Sequence, residues 1–177
     1  WYGGDLYSRA WGGSANYQHN LGKRSQLRLE GGASTVSNQA NALQSSHDYN
    51  ASVSIDRALS ARLGGGVQIT GYRSAARDPG YALAGGGINL YAFREVGRTT
   101  LVGTLGYSHL EADTRLFLYP RRRIDDRVSA SAAATLRTFT VAGFAPLVRM
   151  RWERNRSSIE IYEYRCLAAE FGVTSAF

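Results

Sequence analysis

The sequence is poor in cysteine and proline and has no long apolar run. Cys166 is its single cysteine, which excludes an intramolecular disulfide and a cysteine-based zinc cluster. No stretch of 18 consecutive apolar residues is present, which excludes a transmembrane helix. The sequence starts at Trp1 without a methionine or a signal-like apolar segment, so we expect a mature, trimmed or partial chain.

A continuous basic surface is also missing, although the formal net charge is +7. Lys23 is the only lysine among 21 basic residues, and the arginines are spread singly along the chain. The one cluster, 121–123, is followed at once by Asp125 and Asp126. Binding to nucleic acid requires a continuous basic face, so we expect no nucleic-acid partner.

A two-residue alternation of apolar and polar side chains runs through most of the sequence. Leu27 and Leu29, for example, alternate with Arg28 and Glu30. Such alternation is typical of β-strands with two different faces. It occurs in nine segments: 11–21, 25–36, 49–56, 61–70, 82–92, 99–111, 125–137, 145–154 and 167–177. The sequence therefore predicts an all-β, antiparallel fold.

Three features favour a transmembrane β-barrel over a soluble β-sandwich or a lipocalin-like barrel. Several of the alternating segments are longer than the five or six residues or so of an average globular strand. Short connections (22–24, 58–60, 94–98, 138–143) alternate with long ones (38–46, 74–80, 112–124, 155–164), as in outer-membrane barrels. Trp11, Tyr49 and Trp152 lie towards the long connections and Phe177 towards the short ones, as in interfacial aromatic belts.

The last segment, "LAAEFGVTSAF", is an alternating strand that ends in an aromatic residue. Closure of a barrel leaves such a strand without a free edge, whereas during assembly that edge is exposed. Leu167, Phe171, Val173 and Phe177 resemble the terminal signal read by the outer-membrane assembly machinery of Gram-negative bacteria. This resemblance implies outer-membrane lipids and the barrel assembly machinery as partners.

The number of predicted strands indicates whether the barrel is complete. A barrel with both termini in the periplasm needs an even number of strands, whereas nine are predicted. We therefore expect residues 1–177 to be one outer-membrane β-barrel domain that lacks N-terminal strands. An intact ten-stranded barrel, with residues 1–9 as a weak strand, is the alternative.

The last sixty residues also carry an ordered set of motifs. An arginine-rich stretch precedes an aspartate, a glycine and a proline precede a basic strand, and an "N-x-S…Y-x-Y" loop precedes the terminal Phe177. The residues are Arg122, Arg123, Asp125, Gly143, Pro146, Asn155, Ser157, Tyr162 and Tyr164. In this order they resemble the C-terminal barrel of the surface lipoprotein assembly modifiers (Slam). That resemblance implies a 14-stranded barrel, preceded in the family by a tetratricopeptide-repeat region, which helps to deliver lipoproteins to the bacterial cell surface.

Several interpretations of individual residues remain open at this point. The polar face would line the lumen, where its charges either pair with one another or form a cation-rich path: Arg28, Glu30, Asp56, Arg62, Gln68, Arg127, Arg137, Arg149, Arg151, Glu153 and Glu170. Arg123 and Asp125 fit a loop-anchoring pair, and Tyr162 and Tyr164 fit either belt residues or contacts to a client lipoprotein.

Catalysis has little support in the sequence. The three histidines show no metal-ligand spacing, and no Gly-x-Ser-x-Gly elbow is present. We therefore expect a non-enzymatic protein without metal or cofactor, and a passive porin or an adhesive structural barrel is the alternative to a translocation factor. An outer-membrane protease or lipase would have to use His109 together with acids near the long loops, namely Asp48, Asp78, Glu111 and Asp113.

Overall fold

The computed structural model describes residues 7–175, which form one antiparallel sheet of nine strands in chain order. The strands are β1 (Ser8–Asn20), β2 (Ser25–Asn38), β3 (Ser46–Ser60), β4 (Leu63–Ala76), β5 (Leu83–Val96), β6 (Thr99–Ala112), β7 (Ile124–Leu136), β8 (Phe144–Ser157) and β9 (Tyr164–Ser175). Short 3-10 turns lie at Ala42–Gln44, Arg137–Phe139 and Glu160–Tyr162. The predicted nine antiparallel strands are confirmed. Strands β1 and β9 lie at the two edges of the sheet, and within residues 7–175 no ladder joins them.

All strands except β7 are longer than the alternating segments, and each strand has 12 to 15 residues. The segment predicted at 49–56 extends over the whole of β3, because ladder hydrogen bonds use the backbone and tolerate polar side chains at the strand ends. Connections 39–45, 77–82, 113–123 and 158–163 lie at one end of the sheet, which we call the long-loop end. The opposite connections 21–24, 61–62 and 97–98 are short, whereas 137–143 is as long as 39–45. Trp11, Tyr49 and Trp152 lie in the strand halves that lead to the long-loop end.

The register of the ladders divides the sheet into two faces. Residues directly opposite each other on neighbouring antiparallel strands share a face. One row across the sheet is Trp152, Ala130, Leu105, Leu90, Val67, Ile55 and Leu27, and its face is called the apolar face. The adjacent row is Glu153, Ser129, Gly106, Asn89, Gln68, Ser54 and Arg28, on the polar face.

The apolar face has no covering layer among the described residues. Leu105 is 60% exposed and Ile69 is 59% exposed. The buried hydrophobic residues of this part of the chain are only Ala82, Ala112, Ala145 and Ile159. In residues 7–175, no helix has both the length and the apolar character needed to cross a membrane. Contiguous exposed apolar surface of this extent indicates contact with lipid or another protein.

The glycine runs 64–66 and 85–87 lie inside β4 and β5, and the first of them allows a close approach of a neighbouring side chain. On the polar face, the hydroxyl of Tyr91 donates a hydrogen bond to Asp56 (2.7 Å), and its ring passes over Gly66. A Cβ atom on Gly66 would lie 2.7 Å from that ring and 2.7 Å from the carbonyl oxygen of Ile55. Glycine therefore makes room for an aromatic side chain from the neighbouring strand.

Gly143 lies in a tight turn that requires a left-handed backbone. Backbone hydrogen bonds of 2.9 Å join Val141 and Phe144 in both directions. Between them, Ala142 and Gly143 both have positive φ, at 51° and 82°. Two central residues with positive φ define a type I′ turn, which matches the twist of an antiparallel hairpin. Pro146 follows at the start of β8, one residue before the ladder to β7 begins at Leu147.

The geometry of the turn predicts that substitutions at its two central positions change the unfolding free energy in opposite directions. We expect Gly143→Ala to cost about 1 kcal/mol of unfolding free energy, because a side chain disfavours left-handed backbone. Since no atom lies within 4 Å of the added Cβ, the cost would come from the backbone alone. Ala142→Asn should stabilise the turn by a few tenths of a kcal/mol, roughly, because asparagine tolerates this conformation.

Urea unfolding of the protein in lipid vesicles measures both changes. Gly103→Ala is the control, because its Cβ also meets nothing within 4 Å while its backbone is not left-handed. Equal losses for Gly143→Ala and Gly103→Ala would contradict the turn assignment.

Candidate functional site

Asp125 is the centre of a hydrogen-bonded cluster at the long-loop end of the polar face. It lies at the start of β7 and is only 5% exposed. Its Oδ2 atom accepts hydrogen bonds from Nε (2.8 Å) and Nη2 (2.6 Å) of Arg123, and its Oδ1 atom accepts one from the hydroxyl of Ser157 (2.6 Å). Two hydrogen bonds from a guanidinium group and one from a hydroxyl group offset the free-energy cost of burying this carboxylate.

Arg123 also contacts connection 158–163, the last of the long connections. The guanidinium of Arg123 lies 3.7 Å from the ring centre of Tyr162, a cation–π contact. Asn155, which is 4% exposed on β8, donates a hydrogen bond from Nδ2 to the carbonyl oxygen of Tyr162 (2.7 Å). Connection 158–163 is therefore tied to both β7 and β8.

A second buried carboxylate, Glu153, extends the cluster along the polar face. It is 7% exposed and accepts hydrogen bonds from the hydroxyl of Tyr164 and from Nη2 of Arg151 (2.7 Å). Nη1 of Arg127 lies 3.9 Å from its Oε1 atom. Together with Arg123 and Asp125, this part of the polar face contains two carboxylates and three guanidinium groups.

Six of the nine motif residues thus come together, and three do not. Arg123, Asp125, Asn155, Ser157, Tyr162 and Tyr164 form the cluster, which we call the motif cluster. Arg122 pairs instead with Glu111 (3.0 Å), on the apolar side. Gly143 and Pro146 lie at the opposite end of the sheet, where they shape the turn and the start of β8.

A cavity of about 480 Å³ lies beside the motif cluster on the polar face. Its lining includes Thr70, Tyr72, Ser108, Arg123, Arg127 and Tyr164. Hydroxyl, phenol and guanidinium groups of this kind donate hydrogen bonds to backbone carbonyls or carboxylates. The arrangement suits contact with an extended polar chain.

The other residues predicted to face a lumen lie on the polar face of the strands, except Arg62 and Arg137, which lie in turns. Arg62 lies in turn 61–62, where its carbonyl oxygen accepts from the backbone N–H of Glu95 (2.8 Å). Arg137 lies in a 3-10 turn and donates to the hydroxyl of Thr100 (2.7 Å). On β8 and β9, Arg149 pairs with Glu170 (3.1 Å). The opposite charges of β7–β9 are therefore interspersed and paired.

Of the side chains considered for catalysis, His109 and Glu111 come together, whereas the three aspartates have other partners. Asp48 accepts hydrogen bonds from serines on the polar face, Asp78 caps the backbone N–H of Gly80, and Asp113 pairs with Arg73. This pairing holds the pKa of Asp113 below its usual value. Within residues 7–175, no group of histidine, cysteine and acidic side chains could hold a metal ion.

The cluster around His109 was anticipated only in part, because the sequence grouped His109 with Glu111 but not with Asp126 or Tyr107. His109 bonds through Nδ1 to Asp126 (2.9 Å) and through Nε2 to Glu111 (3.1 Å), and Tyr107 donates to Asp126 (2.6 Å). These residues share the apolar face near the long-loop end. Only the spacing of His109 and Glu111, two residues apart on one strand, could have indicated a contact.

Three of the four residues expected to form the assembly signal lie on one exposed edge strand. Leu167, Phe171 and Val173 are 70%, 80% and 69% exposed on the apolar face of β9. Phe177 lies outside the described residues.

Comparison with known proteins identifies the family. No curated protein matches the chain. A family model described as surface lipoprotein assembly modifier (SlipAM) matches residues 1–173. Because the match covers nearly the whole sequence, the chain belongs to the surface lipoprotein assembly modifier family.

Proposed function

We propose that this chain belongs to an outer-membrane β-barrel that helps to move lipoproteins to the bacterial cell surface, without catalysis and without a cofactor. The family match over residues 1–173 carries this proposal, since a surface lipoprotein assembly role follows from it. The nine long strands and their two unlike faces support a position in the outer membrane.

The barrel would be completed by further strands. Backbone groups at an open sheet edge cannot remain unpaired in a hydrocarbon environment, so β1 and β9 both need neighbours. We propose that residues 1–177 are one part of a single barrel domain, and that other strands bring the total to the 14 implied by the family resemblance. Lipids would cover the apolar face, and the barrel assembly machinery would recognise Leu167, Phe171, Val173 and Phe177.

The long-loop end would face the cell exterior, as the longer connections do in such barrels. The motif cluster would then lie at the exit of the lumen, where it holds connection 158–163 against the strand ends. The neighbouring cavity would contact the client lipoprotein as an extended chain, through Arg127, Tyr164 and other donors on the polar face.

Surface display of a lipoprotein tests this function. Deletion of the gene should leave most of the client inaccessible to added protease on intact cells, and the wild-type gene should restore its accessibility. Thr70→Trp should restore only part of the display, because it narrows the cavity. Gln18→Trp, which places the same side chain on the polar face of β1, should restore it fully.

A passive porin gives the opposite results. Ion conductance in planar bilayers, together with unchanged lipoprotein display after deletion, would overturn the translocation role. Equal display by the two tryptophan variants would exclude the cavity as the client contact.

A further inference from the structure

Two arginines face each other on the apolar face near the long-loop end. Arg154 on β8 lies directly opposite Arg165 on β9, and both are exposed. Like charges in directly opposite positions destabilise an antiparallel pair. Among residues 7–175, neither guanidinium forms an ion pair with a carboxylate. The pair therefore lacks a counter-ion from the described part of the chain.

Asp126, an acidic residue near them on the same face, does not neutralise them. Asp126 lies opposite Arg156, which adds a third positive charge two residues beyond Arg154. The carboxylate of Asp126 already accepts hydrogen bonds from Tyr107 (2.6 Å) and bonds to His109 (2.9 Å). The local charge stays positive and would attract an anion.

An apolar groove lies directly beside the arginine pair. Trp152 and Leu167 form the next row of the ladder towards the middle of the sheet, and they line a groove of about 530 Å³. The small residues Ala130 and Ala132 also line it, together with Leu105. A groove next to exposed positive charge suits a ligand with one anionic end and one apolar end.

We propose that Arg154, Arg165 and this groove form a binding site for a membrane lipid whose phosphate headgroup carries a net negative charge. The two guanidinium groups would hold the phosphate, since arginine donates paired hydrogen bonds to phosphate oxygens. An acyl chain would fill the groove against Trp152. The inference rests on the proposed function, because it requires the apolar face to meet lipid. A zwitterionic lipid such as phosphatidylcholine would also fill the groove, but its choline cation would offset the attraction of its phosphate to the arginines.

Quenching of Trp152 fluorescence by brominated acyl chains measures which lipid occupies the groove. The protein is folded into phosphatidylcholine bilayers, with its other tryptophans replaced by phenylalanine. Brominated phosphatidylglycerol is then titrated against brominated phosphatidylcholine. We expect phosphatidylglycerol to bind roughly fivefold more strongly, the ratio given by about 1 kcal/mol of headgroup contact. Equal quenching by the two lipids overturns the headgroup site, and no quenching by either overturns lipid contact at this face.

Variants of the arginines and of the groove test whether the preference for phosphatidylglycerol arises at this site. Arg154→Gln with Arg165→Gln should lower the ratio to about one, whereas Arg57→Gln, an exposed arginine on the apolar face of β3, should leave it unchanged. An unchanged ratio in the double variant, or an equal loss with Arg57→Gln, overturns the site. Ala132→Leu should reduce quenching by both lipids, because it fills the groove while keeping the arginines. Unreduced quenching in Ala132→Leu would exclude the groove as the acyl-chain site.

Discussion

Arg123→Ala is expected to destabilise the folded protein by about 3 kcal/mol, because it leaves a buried carboxylate without its cation. Asp125 receives two of its three hydrogen bonds from this arginine, and its side chain is 7% exposed. After the substitution only the hydroxyl of Ser157 remains as a donor. The penalty comes from the desolvated charge rather than from the lost attraction alone.

The neighbouring residue provides a matched control. Arg122 also forms an ion pair, with Glu111, but both side chains are more than a third exposed. Exposed pairs contribute little, so Arg122→Ala should change the unfolding free energy by less than about 1 kcal/mol. Urea unfolding in lipid vesicles compares the two variants, and similar losses for both would contradict the role of burial.

A compensating change separates charge from shape. Asp125→Asn in the Arg123→Ala background removes the buried charge, and we expect it to recover part of the lost stability. Arg123→Ala should also loosen connection 158–163, since Tyr162 loses its cation–π contact. Faster cleavage by chymotrypsin at Tyr162 would report this, whereas Arg122→Ala should leave the cleavage rate unchanged.

The strands could be predicted from the sequence because alternation reflects local geometry. A residue such as Leu29 points to one face whatever its strand pairs with. Arg123 and Asp125 were predictable as a pair for the same reason, since they are two residues apart in an extended segment. Even Gly143, found from a motif, follows a local rule for turns with positive φ.

Contacts between strands depend on register, which the sequence does not reveal directly. Asp126 meets His109 because the β6–β7 ladder places them opposite each other. A shift of one residue would have put them on different faces. The same holds for Arg154 and Arg165, whose juxtaposition arises only from the β8–β9 register. Arg62 was predicted to lie within a strand, but it lies in the short turn at 61–62, just before β4 begins.

Ile69→Arg is expected to cost roughly 2–4 kcal/mol when the protein is folded in a bilayer, as charged residues do near the middle of a lipid-facing strand. Ile69 lies midway along β4 and is 59% exposed on the apolar face. Urea unfolding in lipid vesicles measures the loss. The adjacent variant Gln68→Arg places the same charge on the polar face, opposite Asn89 and Ser54. We expect it to change stability by less than about 1 kcal/mol.

The pair of variants decides which face meets lipid, because only the side of the sheet differs between them. In water, an exposed isoleucine on a sheet surface tolerates arginine, so a soluble β-sandwich that leaves this face wet would lose little from either change. A large loss at Gln68 and a small one at Ile69 would reverse the assignment of the faces. That result would place Arg127, Glu153 and the motif cluster against lipid, where their charges would be far more costly. A loss confined to Ile69→Arg is therefore the outcome that the charges of the polar face require.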